Sequence, residues 1–177
     1  MRRQAQVKRA RPDLEVVGFR GNVETRLAKL EAGVADATFL AAAGLNRLQQ
    51  AHRIAHHVPT SQMLPAVAQG AIAIELNEGD RRAIDLVQPL DHRPTATAIA
   101  AERAFLARLD GSCRTPIAGH ATVSAGRLHF RGMIVKPDGS QAFETTRDGD
   151  IRDADKLGAD AGAELKGRAG PDFFSSH

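Results

Sequence analysis

The sequence predicts an α/β chain in two parts, an α/β part followed by a small α+β domain. In the first part, short apolar segments alternate with amphipathic helical segments, which is typical of a mostly parallel sheet. In the second part, alternating apolar residues are separated by the turn signals Ser124-Ala125-Gly126 and Pro137-Asp138-Gly139, which predict a three-stranded antiparallel sheet. Helical segments precede and follow this sheet, so we expect it to have flanking helices.

The first part begins with a basic helix that we expect to stop at Pro12. A buried strand is predicted over 14–19, and the helix after it has Asn22 at the N-cap position and Gly33 at the C-cap position. The stretch ADATFLAAAGLNRL predicts another strand that runs into a helix. Arg20 directly precedes a helix N-terminus, which is either an anion site or a helix cap with an exposed arginine.

The alternation breaks at Pro65 and Gly70, before an apolar strand predicted over 71–76. We interpret this stretch as a crossing between structural units. Two helices are predicted beyond it, one near 80–87 and one over 94–109, where apolar residues keep helical spacing.

The composition indicates a soluble globular protein: 42% of the 177 residues are hydrophobic, enough to bury a core. No apolar run approaches the roughly 18 residues that a membrane span needs. The start, MRRQAQVKRARPD, has no hydrophobic stretch that could serve as a signal peptide. We therefore expect a cytoplasmic protein with no membrane partner.

Positive charge is concentrated at the start of the chain, although the formal net charge is only +3. The first 11 residues contain no acidic residue and the basic residues Arg2, Arg3, Lys8, Arg9 and Arg11. This patch could meet nucleic acid or a small polyanion, or form a solvated helix face. Because Trp and Tyr are absent and only 7 Phe are present, little aromatic surface is available to stack bases. A small polyanion therefore fits at least as well as nucleic acid.

Cys113 is the only cysteine, and it lies in the stretch ERAFLARLDGSCRTPIAG. A single thiol forms no internal disulfide and no zinc-type cysteine spacing, so Cys113 is either a buried small hydrophobe or a reactive group. The small residues before it and Pro116 after it predict an accessible loop between a helix and a strand. A thiol in such a loop could act as a nucleophile or as a covalent anchor. The spacing of the seven histidines selects neither a base nor a metal site.

The same stretch resembles the cofactor-attachment signature of the porphobilinogen deaminase family, also called the hydroxymethylbilane synthases. The matching positions are Glu102, Arg103, Gly111, Ser112, Cys113, Thr115 and Pro116. Further segments are similar, in order and spacing, to successive segments of the family's second half: RRQAQ, RPDLEVVGFRGNVETRLAKLEAG, DATFLAAAGLNRL and LPAVAQGAIAIE. The resemblance covers nearly all of the chain.

The resemblance implies a monomeric cytoplasmic transferase of heme and tetrapyrrole biosynthesis, which polymerises porphobilinogen into hydroxymethylbilane and releases ammonia. It implies that Cys113 holds a dipyrromethane cofactor through a thioether. Each added unit brings two carboxylates, so arginines are needed to neutralise a growing negative charge. By match of motif, the cofactor carboxylates are assigned to Arg2, Arg3, Arg20 and Arg26, and substrate contacts to Arg20, Arg26, Arg47, Gln69 and Gly70.

The family's aspartate, which stabilises cationic intermediates, precedes the RRQ segment, and no match for it is present here. No catalytic residue is therefore identified, no metal is expected, and we expect little or no turnover by this chain alone. The implied domains are an incomplete periplasmic-binding-protein-like α/β domain over 1–65, a crossing segment and strand over 66–85 that belong to a mostly absent first domain, and an α+β domain over 86–177. The strand over 71–76 should then expose an apolar face. The alternative function is a non-catalytic anion-binding module that carries no covalent cofactor.

Overall fold

A computed structural model describes residues 2–109 and 116–175 of the chain. Its helices are α1 (Arg2–Ala10), α2 (Val23–Glu31), α3 (Ala42–Arg47), α4 (Arg81–Val87), α5 (Arg93–Arg108), α6 (Ala154–Ala169) and α7 (Asp172–Ser175). Its strands are β1 (Ile117–Ser124), β2 (Arg127–Val135) and β3 (Ala142–Asp150). By packing, the chain divides into a sheet unit, Met1–Pro12 with Met63–His177, and a 13–62 unit, Asp13–Gln62. The predicted domains 1–65, 66–85 and 86–177 stay predictions.

The sheet unit is built on an antiparallel meander in the order β1-β2-β3. The turn between β1 and β2 is made by Ala125 and Gly126, which both have positive φ (48° and 73°), as a tight hairpin turn requires. Gly139, with φ of 79°, lies in the turn between β2 and β3. The three-stranded sheet and both of its turns are thus confirmed.

The core of the sheet unit lies between the sheet and the helices α5 and α6. Phe105 from α5 and Phe130 from β2 are fully buried, and their ring centroids are 5.0 Å apart. The two helices approach closely at Gly158, where a Cβ would overlap the carbonyl oxygen of Ala101. The helices predicted over 94–109 and at the end of the chain are therefore confirmed, and so is the short helix near 80–87.

Helix α1 packs into the sheet unit although it comes first in the chain. The Gln6 side chain of α1 makes two hydrogen bonds to segment 63–70. Its Nε2 donates to the Leu64 carbonyl (2.9 Å), and its Oε1 accepts from the Leu64 N–H (3.0 Å). Gly139 also contacts α1, since a Cβ there would lie 2.9 Å from the Ala5 carbonyl oxygen. The sheet unit is therefore assembled from two separate stretches of the sequence.

The 13–62 unit contains α2 and α3. The Thr25 N–H donates to the Asn22 side chain at 2.8 Å, so the predicted N-cap of α2 is confirmed. Leu27 on α2 is buried, and Gly33 takes a positive φ of 72° just beyond the helix end. An ion pair of 2.6 Å joins Arg53 to Glu31.

Three predicted strands do not form among the described residues: the segments at 14–19, at DATFL before α3 and at 71–76 are not assigned to any sheet. An apolar run favours burial, but a strand needs a hydrogen-bonded neighbour, and the described residues supply none to these segments. Ile72 is 96% exposed and Ile74 is 52% exposed, in agreement with the expected apolar exposure. The confirmed class is therefore helices with one three-stranded antiparallel sheet. Among the described residues, no helix combines the length and apolar character that crossing a bilayer requires.

Glu164 on α6 anchors a polar network on the sheet unit. Its carboxylate accepts hydrogen bonds from Thr145 Oγ1 (2.7 Å), Arg147 Nη2 (2.8 Å) and Arg168 Nη1 (2.8 Å). The hydrogen bonds from Thr145 and Arg147 lower the pKa of Glu164 from 4.5 to about 2. The network therefore ties β3 to α6 as long as Glu164 is ionised.

Acid is expected to weaken the sheet unit through this network. Because the folded pKa of Glu164 is depressed, its contribution to stability is present above pH 4.5 and is lost as the pH falls toward about 2. The Glu164 side chain is 34% exposed, so we expect Glu164→Gln to cost about 1–2 kcal/mol at pH 7 after discounting for solvent screening. Urea unfolding across this pH range measures the effect. If the free energy of unfolding falls equally with decreasing pH in the wild type and in Glu164→Gln, the prediction is contradicted.

Candidate cofactor and substrate site

Arg2 and Arg3 are the candidate carboxylate ligands of the sheet unit, and both lie in the first turn of α1. The Nε of Arg2 is buried and has no hydrogen-bond partner among the described residues. A buried N–H that lacks an acceptor costs about 1–3 kcal/mol, so this guanidinium is suited to an acceptor from outside the described residues. Arg3 is exposed on the same turn.

Arg26 is the corresponding residue of the 13–62 unit, on α2. Its Nε is also buried without a hydrogen-bond partner among the described residues, and its Nη1 makes only a long 3.5 Å contact with the Phe39 carbonyl. Arg20 precedes α2 and is exposed, and Arg47 is exposed at the end of α3. Three of the predicted arginines therefore belong to this unit, and Arg26 among them offers an unsatisfied donor.

Gln69 and Gly70 lie at the mouth of a cleft in the sheet unit, with a volume of about 320 Å³. Both residues are exposed. The backbone is unusual at Ala68, whose φ of 57° is one that an L side chain disfavours, whereas Gly70 adopts its φ of 79° without cost. Residues that line the cleft include Gln69, Gly70, Thr95, Ala98, Glu102 and His120. The two predicted substrate residues are thus part of one concave surface.

Glu102 is buried at the base of this cleft, with 4% of its surface exposed. Its carboxylate accepts from the N–H of Ala68 (2.5 Å) and from the N–H of Ala121 (2.8 Å). Burial raises the pKa of Glu102 above its ordinary value, and these two hydrogen bonds oppose the rise. In the sequence, Glu102 stands out only as a position of the signature. The sequence did carry a signal that Glu102 is buried, because this acidic residue lies four positions after Ala98 on the apolar face of α5.

Two sequence models of one family match the chain. Residues 1–85 match "Porphobilinogen deaminase, dipyromethane cofactor binding domain", and residues 96–167 match "Porphobilinogen deaminase, C-terminal domain". The chain belongs to the porphobilinogen deaminase family. The five candidate arginines, Gln69 and Gly70 fall within the first match, and Glu102 and Cys113 fall within the second.

Proteins named porphobilinogen deaminase are similar to this chain along almost its whole length. The protein from Nitrobacter hamburgensis is 57% identical over 175 residues, which cover 99% of this chain and 55% of that protein. The protein from Paracoccus denitrificans is 52% identical over 174 residues, which cover 98% of this chain and 56% of that protein. The chain therefore spans about half the length of the curated relatives that it matches.

In the porphobilinogen deaminase signature, the cysteine lies between helix α5 and strand β1 along the chain. Helix α5 ends at Arg108, and β1 begins at Ile117, so the signature joins a helix to a strand as expected. Cys113 itself lies outside the described residues, as do the signature positions Gly111, Ser112 and Thr115. Pro116 is buried, and its carbonyl accepts from the Val135 N–H at 3.1 Å.

Proposed function

We propose that this chain is the cofactor-anchoring and carboxylate-binding part of a porphobilinogen deaminase, the hydroxymethylbilane synthase that joins porphobilinogen units and releases ammonia. The observation that carries the proposal is a buried Nε–H donor in each unit, on Arg2 in the sheet unit and on Arg26 in the 13–62 unit, with no acceptor among the described residues. A carboxylate is the acceptor that suits a guanidinium best, since the planar fork can donate two parallel hydrogen bonds.

The donor set fits a dipyrromethane, whose pyrroles carry acetate and propionate groups. In the proposed site, Arg2, Arg3, Arg20 and Arg26 bind the carboxylates and Cys113 forms the thioether. When bound, the dipyrromethane supplies the pyrrole to which substrate units are joined. The arginines neutralise the two carboxylates that each added porphobilinogen brings.

Substrate contacts are proposed for Arg20, Arg26, Arg47, Gln69 and Gly70. The exposed positions of Gln69 and Gly70 at the mouth of the cleft support this assignment, since a ligand can reach their backbone and amide groups. We also propose that the finer fold is a periplasmic-binding-protein-like α/β domain over 1–65, with a crossing segment over 66–85 and a C-terminal domain over 86–177. The two family matches, over 1–85 and over 96–167, support a boundary between the crossing segment and the C-terminal domain.

The proposed enzyme is monomeric and cytoplasmic, and it binds no nucleic acid. The ligand is a small polycarboxylate, and the sequence offers no Trp or Tyr to stack on bases. The second candidate function is an anion-binding module without a covalent cofactor. It is favoured by the Arg2 and Arg26 donors alone, because a carboxylate that is not covalently attached would satisfy either donor equally well.

The covalent cofactor is tested by the intact mass of the purified chain under denaturing conditions, after expression in cells that make porphobilinogen. We expect a mass increase equal to one dipyrromethane, and peptide mapping should place it on the peptide that contains Cys113. The Cys113→Ser variant is the matched control and should lack the increase. Colour with Ehrlich's reagent should follow the same pattern. An unmodified thiol in the wild-type chain would contradict the covalent role and favour the anion-binding module.

A further inference from the structure

Segment 63–70 is attached to the sheet unit along its length. The Gln6 side chain makes two hydrogen bonds to Leu64, and the Gly119 N–H donates to the Pro65 carbonyl at 3.0 Å. Val67 is buried in the main core, where its Cγ1 lies against β1. The first half of the segment is therefore fixed by backbone contacts and by apolar packing.

The second half of the segment is fixed by one carboxylate. The Ala68 N–H donates to Glu102 Oε2 at 2.5 Å, and the other oxygen of the same carboxylate accepts from Ala121 on β1 at 2.8 Å. Glu102 thus bridges three elements, because it stands on α5 and binds the backbone of both the segment and the strand. Its side chain is buried, so water does not compete for these hydrogen bonds.

The backbone that Glu102 holds is one that a chain rarely adopts without support. Ala68 has a φ of 57°, which an L side chain disfavours, and Gly70 follows with a φ of 79°. A conformation of this kind persists only where the surroundings determine it. The hydrogen bond from its N–H to Glu102 holds Ala68 directly, and Gln69 and Gly70 follow it to the mouth of the cleft.

We propose that Glu102 is a positioning residue, whose buried carboxylate sets the Ala68–Gly70 turn against α5 and β1 and so fixes the place of Gln69 at the cleft. The statement that Gln69 and Gly70 contact substrate rests on the proposed function. Glu102 acts through these residues and does not touch the reacting atoms. Because α5 runs from Glu102 toward the signature cysteine, one side chain connects the turn to the helix that leads to Cys113.

Two variants distinguish the length of the Glu102 side chain from its negative charge. Glu102→Gln keeps the length of the side chain, but its NH₂ group opposes one of the two N–H donors. Glu102→Asp keeps the charge, but it is one methylene too short to bind both donors. Glu164→Gln is the matched control, since it removes a hydrogen-bonded carboxylate whose partners are side chains of β3 and α6.

Amide hydrogen exchange of the full chain is the first test. Both Glu102 variants should speed exchange over 64–70 at least about tenfold, while exchange in the core of β2 changes by less than about twofold. Glu164→Gln weakens the sheet unit as a whole, so it should speed exchange over 64–70 no more than it speeds exchange in the core of β2. Wild-type protection of 64–70 in both Glu102 variants would overturn the proposal. An equal loss of protection in β2 would also overturn it, because Glu102 would then be a general stabilising residue.

Porphobilinogen binding to the same proteins, measured by calorimetry, is the second test. We expect each Glu102 variant to bind about tenfold more weakly than wild type, and the Glu164→Gln control to bind as wild type does. Unchanged affinity in the Glu102 variants would overturn the positioning of Gln69. If the wild-type chain binds no porphobilinogen, the proposed function fails, and the exchange result still decides whether Glu102 sets the turn.

Discussion

Replacing Arg26 by alanine is expected to weaken the binding of porphobilinogen by about 10- to 100-fold, because a charged hydrogen bond to a carboxylate contributes about 1.5–3 kcal/mol. The Nε of Arg26 is buried without a partner among the described residues, and in the proposed site the ligand carboxylate supplies the acceptor. Calorimetric titration of the purified chain with porphobilinogen measures the change directly.

Two controls make this result specific. Arg26→Lys keeps the charge and loses the planar fork, so its affinity should lie between those of the wild type and Arg26→Ala. Arg53→Ala removes an arginine of the same unit that already pairs with Glu31 at 2.6 Å, and it should change the affinity less than about twofold. An Arg26→Ala chain that binds as tightly as Arg53→Ala would refute the assignment of Arg26 to a ligand carboxylate.

Phe105→Ala is expected to lower the free energy of unfolding of the sheet unit by about 3–5 kcal/mol, through lost burial and the cavity left behind. Phe105 is fully buried and packs on Phe130 with ring centroids 5.0 Å apart. The ring also lies close over Gly132, where an added Cβ would be 2.7 Å from Cζ of Phe105. Typical domains are stable by only about 5–15 kcal/mol, so this loss would remove a large share.

Urea unfolding followed by circular dichroism gives the measurement. The matched control is Phe39→Ala, which removes a phenylalanine of the 13–62 unit that is 39% exposed and should cost less than about 1 kcal/mol. If both variants shift the unfolding midpoint equally, Phe105 does not anchor the core of the sheet unit.

Elements specified by neighbouring residues were predicted correctly. The hairpin at Ala125 and Gly126 and the N-cap at Asn22 depend on local backbone geometry and on hydrogen bonds that span three residues or fewer. The strands predicted over 14–19 and 71–76 were wrong for the described residues. Their apolar patterns report a preference for burial, whereas a strand also requires a partner strand that no local pattern specifies.

The sequence predicted which residues belong to the candidate site, but it predicted only part of how their side chains are arranged. The sequence selected the arginines by resemblance, but the unsatisfied Nε of Arg2 and of Arg26 depends on how each guanidinium packs. Glu102 shows the same limit. Its partners are the backbone N–H groups of Ala68 and Ala121, which lie 34 and 19 residues away in the sequence. Because every residue except proline has a backbone N–H, neither composition nor spacing identifies these partners.

The placement of α1 has a consequence for how the chain folds as it is made. Its partner Leu64 lies 58 residues beyond Gln6, and the Gly139 turn that it also contacts lies much further along. A nine-residue helix is too short to persist alone in water. At about 5–20 residues per second, the ribosome releases α1 on the order of ten seconds before the β2–β3 turn. Helix α1 is therefore synthesised before its partners, and we expect it to dock only once they have been made.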